Sequence, residues 1–357
     1  MTIHRFAIAD LLLIICLAFS SGCAPVPDND PARHQPAQEV SRRTANSVKT
    51  AFYNCENLFD YKRNPGKQDE DFTPEGKYHY TEQVYKQKLH NIATVIQAMN
   101  EAEGGDLAVL GMAEVENDQV LADLCDQPEL ENKHFGHICH QGPDPRGINT
   151  AFIYDRSLFG LISEDEIDVV FKSGGHSRPI MHILGVLNGD TTHLFINHWT
   201  SRRNSQYESE EKRITAATIL HNYITRLQAS EPGARIIIMG DFNDNPTDAS
   251  IAALQATCGE QTGSKEMFNP FCPMFHLGLG SEKFKNEWNL FDQIILSGNW
   301  QQSAAGHLRY GGSYIFDPEF IVESGRNGET PKRGFKGQNW MNGYSDHFPV
   351  FITLSKQ

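Results

Sequence analysis

Six apolar runs in this sequence end in residues able to do acid–base or metal chemistry. "FYNCENLFD" carries Asn54 and Glu56, and "VLGMAEVEN" carries Glu114, followed by Glu116 and Asn117. "FINHWTSRR" carries Asn197 and His198, and "IMGDFNDN" carries Asp241 and Asn243. "NLFDQIILS" sets Asp292 among apolar neighbours, and "YSDHFPVFITL" sets Asp346 and His347 just before an apolar run. Taken singly, each has an ordinary explanation: Asp and Asn close turns, and a lone histidine is commonly a hydrogen-bonded core residue. Taken together they form one chemical class at the ends of strands. Buried carboxylates are costly without compensation, so a cluster of them calls for a cation or strong hydrogen bonds.

The donor types select the cation. Carboxylates and amides, without cysteine and without histidine pairs at ligand spacing, suit Mg²⁺ or Mn²⁺ rather than zinc. Mg²⁺ typically takes one or two carboxylates and leaves its other positions to water and substrate phosphate. The two histidines then serve as charge donors or proton carriers, each needing an acid to orient it. A metal, imidazoles and an amide around one point fit phosphoester hydrolysis, in which negative charge develops at phosphorus.

Regular elements must carry these residues. The runs "TAFYNC", "LAVLGMAEV", "NTAFIY", "IMHILGVL", "THLFINHW", "ARIIIMGD", "LFDQIILS" and "HFPVFITL" read as strands, short and bounded by turn formers. In "TEQVYKQKLHNIATVIQAMN", Tyr85, Leu89, Ile92, Ile96 and Met99 follow one helical face. Ala217, Leu220, Ile224 and Leu227 do the same in "SQYESEEKRITAATILHNYITRLQAS". Many strands with few helices imply sheet-on-sheet packing with the helices outside.

The whole chain sets outer bounds. Its 357 residues carry 45 Asp and Glu against 31 Lys and Arg, a net charge of −14. Such a balance argues against sequence-independent wrapping of nucleic acid, which depends on many cationic phosphate contacts. It leaves room for an enzyme that meets a phosphate at one cationic spot. Residues 1–22 read as an export signal, with Arg5 ahead of an apolar stretch too short to span a bilayer. Its end, "SSGC", resembles a bacterial lipobox, so lipidation at Cys23 and anchoring to a membrane are expected. Residues 23–48, proline-rich and polar, read as a tether, and 49–357 as one domain. Cys55, Cys125, Cys139, Cys258 and Cys272 are too scattered for a disulfide framework; Cys258 with Cys272 is the pair to expect. "HFGHICH" has no matching ligand pair for zinc and reads as a surface hairpin.

The motifs, in this order, resemble those of the endonuclease/exonuclease/phosphatase superfamily. "YNCENLFD", "GMAEVEN", "GDFND" and "SDHFP" carry the likeness, which runs from Lys49 to the end of the chain, and "EDFTPEG" and "NHWTSRR" point to an exported bacterial subgroup. The resemblance implies an α/β fold: a four-layer α/β/β/α sandwich of two mainly antiparallel sheets flanked by helices. It implies Mg²⁺ or Mn²⁺ held mainly by Glu114, with Asn54 and Glu56 beside it and Asp346 either at that site or on a second one. His347 would contact the scissile phosphate or act as general base, with Asp292 holding its ring. Asp241 would orient or deprotonate the attacking water, Asn243 would donate to a phosphate oxygen, and His198 would serve the leaving group. Which of Asp241 and His347 is the base stays open. Arg146 and Arg178 resemble arginines that reach substrate phosphates, and Arg202 and Arg203 form the best local basic spot. The expectation is an exported, lipid-anchored, monomeric phosphoesterase, read first as a nuclease. A phosphatase or phospholipase is the alternative substrate class, and an inactive binding lipoprotein the alternative outside enzymes.

Overall fold

The computed structural model describes residues 45–202, 206–258, 263–325 and 328–356. The expected signal, the tether up to residue 44, Cys23 and Arg203 lie outside the described residues. Two sheets carry the fold. In the first, the strand order is Leu308–Ile315, Val350–Lys356, Ser47–Leu58, Asp106–Val115, Asn149–Asp155, Phe135–Cys139. In the second it is Phe159–Ile167, Ile180–Leu187, Asp190–His198, Arg235–Asp241, Asp292–Ser297, and then the two-residue strands at Met267–Phe268 and Ala256–Thr257.

Most neighbours are antiparallel, but each sheet has a parallel step at its centre. Ser47–Leu58 pairs parallel with Asp106–Val115, and Asp190–His198 pairs parallel with Arg235–Asp241. Parallel neighbours need a crossover, and the two long helices, Glu82–Glu101 and Gln206–Ser230, supply them. The first helix starts where Thr81 accepts a hydrogen bond from the Val84 amide at 3.3 Å, satisfying one of the free donors of the first turn.

Alternation along the strands builds three cores and hence four layers. Phe52, Val109, Phe152, Ile196, Met239 and Ile294 meet between the sheets. Ala51, Tyr53 and Cys55 point the other way, against Leu89, Ile92 and Ile96 of the first helix. Ile236 and Ile238 pack on Ala217, Leu220 and Ile224 of the second. Central strands buried on both faces read as unbroken apolar runs, which is why they stand out in the sequence.

Among the described strands of five or more residues, three are not among the runs read as strands. Phe159–Ile167 is an edge strand whose "ISEDE" stretch is exposed. Leu308–Ile315 is an edge strand too, and its ladder slips between Tyr310 and Gly312. Phe135–Cys139, inside "HFGHICH", is the outer strand of a hairpin with Asn149–Asp155. Cys258 and Cys272 are joined by a disulfide, whereas Cys55, Cys125 and Cys139 are free.

Gly240 sits where two site-bearing strands lie close together. A Cβ there would lie 2.5 Å from the Asn197 carbonyl oxygen, a backbone atom that cannot swing aside. Gly240→Ala is therefore expected to destabilise the fold by about 1–3 kcal/mol, the usual cost of overpacking. Urea unfolding measures this, and an unchanged midpoint would contradict the packing described.

Candidate active site

The parallel steps bring four strand ends to one pole. Asn54 and Glu56 close the first strand, Glu114 the next, His198 and Asp241 their counterparts in the second sheet. Antiparallel neighbours begin where these end: Asp292 stands opposite Asp241 in register, as does His198 from the other side. His347 reaches the same pole just ahead of Val350–Lys356, bridged to Glu282.

The backbone is strained here. Glu56 (φ 48°), Asn57 (φ 54°), Glu114 (φ 62°) and Asn243 (φ 51°) occupy the left-handed region although none is glycine. Such conformations cost on the order of 1–3 kcal/mol each and persist only where the surroundings over-determine them. Three amides show how. Glu56 N donates to Asn54 Oδ1 at 3.0 Å, Asn57 N to Glu114 Oε2 at 2.8 Å, and Asn243 N to Asp241 Oδ1 at 2.9 Å.

Asp292 is fully buried, and its Oδ2 accepts from His347 Nδ1 at 2.7 Å and from Ser281 Oγ at 2.6 Å. Its Oδ1 has no hydrogen-bond partner among the described residues. Burial by itself would lower the His347 pKa, but Asp292, then Asp241 and Asp346, outweigh it and hold the ring well above an ordinary histidine. His347 is therefore an imidazolium. His198 is the opposite case. Burial first, then Arg178, Arg146 and His347, drive its pKa well down, so this ring is neutral. Its Nε2 lies 3.7 Å from Asp241 Oδ2 and 4.0 Å from Glu114 Oε1. Asp241 receives Asn54 Nδ2 at 2.9 Å. Its pKa is pushed up to about 7, by burial first, with His347 opposing and Asp292 adding.

Asp241, Asp292 and His347 offer ligand atoms within 4.8 Å of one another. We read this trio as a proton-handling array rather than a metal cage, because Asp292 Oδ2 is already shared between His347 and Ser281. A hard divalent cation fits better beside it. Among the described residues Glu114 shows a hydrogen bond at Oε2 and none at Oε1, and is 17% exposed; Asp346 is 25% exposed, with His347 and Arg333 at 4.0 Å. Both present carboxylate oxygens, the donors such an ion prefers.

The sequence profile of the Endonuclease/Exonuclease/phosphatase family matches residues 49–356. The chain belongs to that family. No curated protein sequence matches it. Among solved structures it is similar to an endonuclease/exonuclease/phosphatase family protein of Bacteroides thetaiotaomicron, with TM-score 0.53 and 16% identity over 89% of this chain and 97% of that one. It is also similar to the mannosyl-6-phosphatase of the same organism, with TM-score 0.53 and 16% identity over 86% and 99%. D. rerio TDP2 complexed with a single-strand DNA product gives TM-score 0.54 and 12% identity over 87% and 100%. These likenesses establish the shared sandwich fold.

Within this family fold, several residues singled out from the sequence do something other than expected. Glu56 turns its carboxylate away, accepting the amides of Gly334 at 2.6 Å and Phe335 at 3.3 Å. Its pKa is raised to about 7 by burial and then by Asp346, with Lys88 opposing. Arg178 is buried and holds Asp144 and two backbone carbonyls, so it does not present its guanidinium to the surface. Arg202 is committed to the Asn243 carbonyl, Asp244 and Asp248, and lies over the Phe291 ring. Arg146 forks onto Asp144 but is 42% exposed. Asn243 donates Nδ2 to the Trp199 carbonyl at 3.1 Å, using one of its two amide hydrogens. Sequence reasoning missed Ser281 and Ser345. Ser345 Oγ donates to the Asn54 carbonyl at 2.6 Å and accepts from the His347 amide at 3.1 Å, pinning the last motif to the first strand. Its place inside "SDHFP" was the available signal.

The His347 shift carries a pH dependence of fixed sign. A pKa raised on folding means the protonated ring stabilises the fold below about pH 6.5 and that this gain disappears as pH climbs through the folded value. The stability gap between wild type and Asp292→Asn is therefore expected to be widest at acid pH and to narrow in alkaline solution. Urea titrations at pH 6 and pH 9 measure it. A gap independent of pH would contradict a charged His347.

Proposed function

We propose that the protein is a phosphoesterase that hydrolyses its substrate by in-line attack of water. The observation that carries this reading is the buried His347–Asp292 pair, 2.7 Å apart, beside Asp241. Glu114 and Asp346, with Asn54 next to them, would hold Mg²⁺ or Mn²⁺, which when bound neutralises phosphate charge and polarises the phosphoryl oxygen. The chain's own residues do the rest. His347 donates from Nε2 to a phosphoryl oxygen as negative charge grows there, and Asp292 fixes the orientation of its ring. Asp241, with a pKa of about 7, accepts the proton of the attacking water near neutrality. The new P–O bond forms as the ester P–O bond opposite it breaks. Asn243 has one amide hydrogen left for a phosphate oxygen, and the neutral His198 supplies a hydrogen bond at the leaving oxygen.

Nucleic acid is the substrate class we place first, with the protein exported and held at a membrane through lipidated Cys23. A second reading has an observation in its favour. Arg178 and Arg202 are engaged by the protein itself, and the chain carries a net charge of −14. With these two arginines turned to the protein, a compact phosphate monoester, inositol phosphate or phospholipid headgroup is favoured over an extended polyanion.

Supercoiled plasmid incubated with Mg²⁺ and protein from Ala24 onward separates the two. Metal-dependent nicking, abolished by EDTA and lowered about 10²–10⁴-fold in His347→Ala, is the expected result for a nuclease. Absence of nicking with turnover of phosphomonoesters would select the second reading, and inertness toward every phosphoester would overturn the proposal.

A further inference from the structure

Two loops leave the second sheet at the active pole, one after His198 and one after Asp241. Past the last ladder pair their carbonyls have no strand partner, and a buried carbonyl without a donor is costly. Arginines fill that need. Arg178 donates Nε to the His198 carbonyl and Nη2 to the Trp199 carbonyl, both at 3.0 Å. Arg213, from the long helix behind the sheet, donates Nη1 to the Thr200 carbonyl at 3.1 Å. Three consecutive carbonyls are thus held by two guanidinium groups.

Each guanidinium is tied to a buried acid. Arg178 pairs with Asp144, both side chains under a tenth exposed, and Arg213 Nε lies 2.7 Å from Asp244 Oδ2, both nearly fully buried. Asp244 belongs to the other loop. It also receives Ser250 Oγ at 2.6 Å and Arg202 Nη2 at 2.8 Å, while Arg202 Nε donates to the Asn243 carbonyl at 2.8 Å. The Asn243 side chain returns to the Trp199 carbonyl, closing the circuit between the loops. Planar forks that reach two acceptors at once suit this task, and a lysine, a single point of charge, does not.

We propose that Arg178 and Arg213 are positioning residues, a buried clamp on the carbonyls of residues 198–200 that fixes His198 against Asp241 and Glu114. Arg178 then acts without touching the substrate, contrary to the role its surroundings in the sequence suggest. The activity arm of the test rests on the phosphoesterase reading. The exchange arm does not.

The variants are Arg178→Lys and Arg213→Lys, with Asp144→Asn, which keeps Arg178 but removes its anchor, in case a lysine variant fails to fold. In full-length protein, hydrogen exchange at the Trp199 and Asn243 amides, bonded to the Asp241 carbonyl and Asp241 Oδ1, is expected to accelerate at least tenfold. Leu194, in the core of the same strand, should be unaffected. With whichever phosphoester the wild type turns over, kcat should fall about 10²-fold, the scale of an ångström's misplacement, while KM stays within about twofold. Unchanged exchange at Trp199 and Asn243 in folded variants overturns the clamp. A raised KM at preserved kcat does so too, and makes Arg178 a phosphate contact. A wild type inert on all phosphoesters refutes the proposed function and leaves the exchange arm to decide the clamp.

Discussion

Burying an imidazolium against a carboxylate, as His347 Nδ1 is buried against Asp292 Oδ2 at 2.7 Å, sets the terms for everything around it. Removing two charges from water costs several kcal/mol per ion unless geometry and further hydrogen bonds repay it. The repayment here is specific. Ser281 Oγ donates to the shared carboxylate oxygen, Ser345 Oγ receives the His347 amide, and Asp241 and Asp346 add their fields. Asp292 Oδ1 remains without a donor among the described residues. That leaves a local cost of about 1–3 kcal/mol, as happens where arrangement for chemistry outranks stability.

Topology makes such a cluster attainable. A central parallel step in each sheet, bridged by a helix on each outer face, sends strand ends from both sheets to a single pole. In open sheets with parallel strands, that carboxyl edge is where ligands bind. The antiparallel neighbours then start at the same pole, which brings Asp292 beside Asp241 although residues 242–291 intervene. Strained residues sit where the ladders stop, between Asn54 and Leu58 and again at Glu114 and Asn243. Their amides are spent on site side chains instead of strand partners.

How much of this the sequence discloses follows from burial. Strands covered on both faces announce themselves, as "ARIIIMGD" does, and so do amphipathic helices with regular apolar spacing. Edge strands such as Phe159–Ile167 do not, because residues 161–166 are exposed on both faces and their Ser, Glu and Asp also fit a loop. At the site, polar residues at the ends of apolar runs are visible as a set. Direction is invisible: nothing in "NCEN" says that Glu56, at φ 48°, turns its carboxylate to the amides of Gly334 and Phe335, nearly 280 residues on. Arginines mislead for a related reason. A guanidinium that grips carbonyls and an aspartate has the same sequence surroundings as one that grips a phosphate, and only the fold tells Arg178 from a substrate contact.

Everything proposed for this pole requires that its carboxylates receive a cation and a phosphate together. Calorimetric titration of Mg²⁺ or Mn²⁺ into the substrate-free protein tests that most directly. Binding that is saturable and removed or strongly weakened in Glu114→Gln, but retained in Glu56→Gln, is the predicted result. Absence of binding to the wild type, or equal binding to Glu114→Gln, would contradict it.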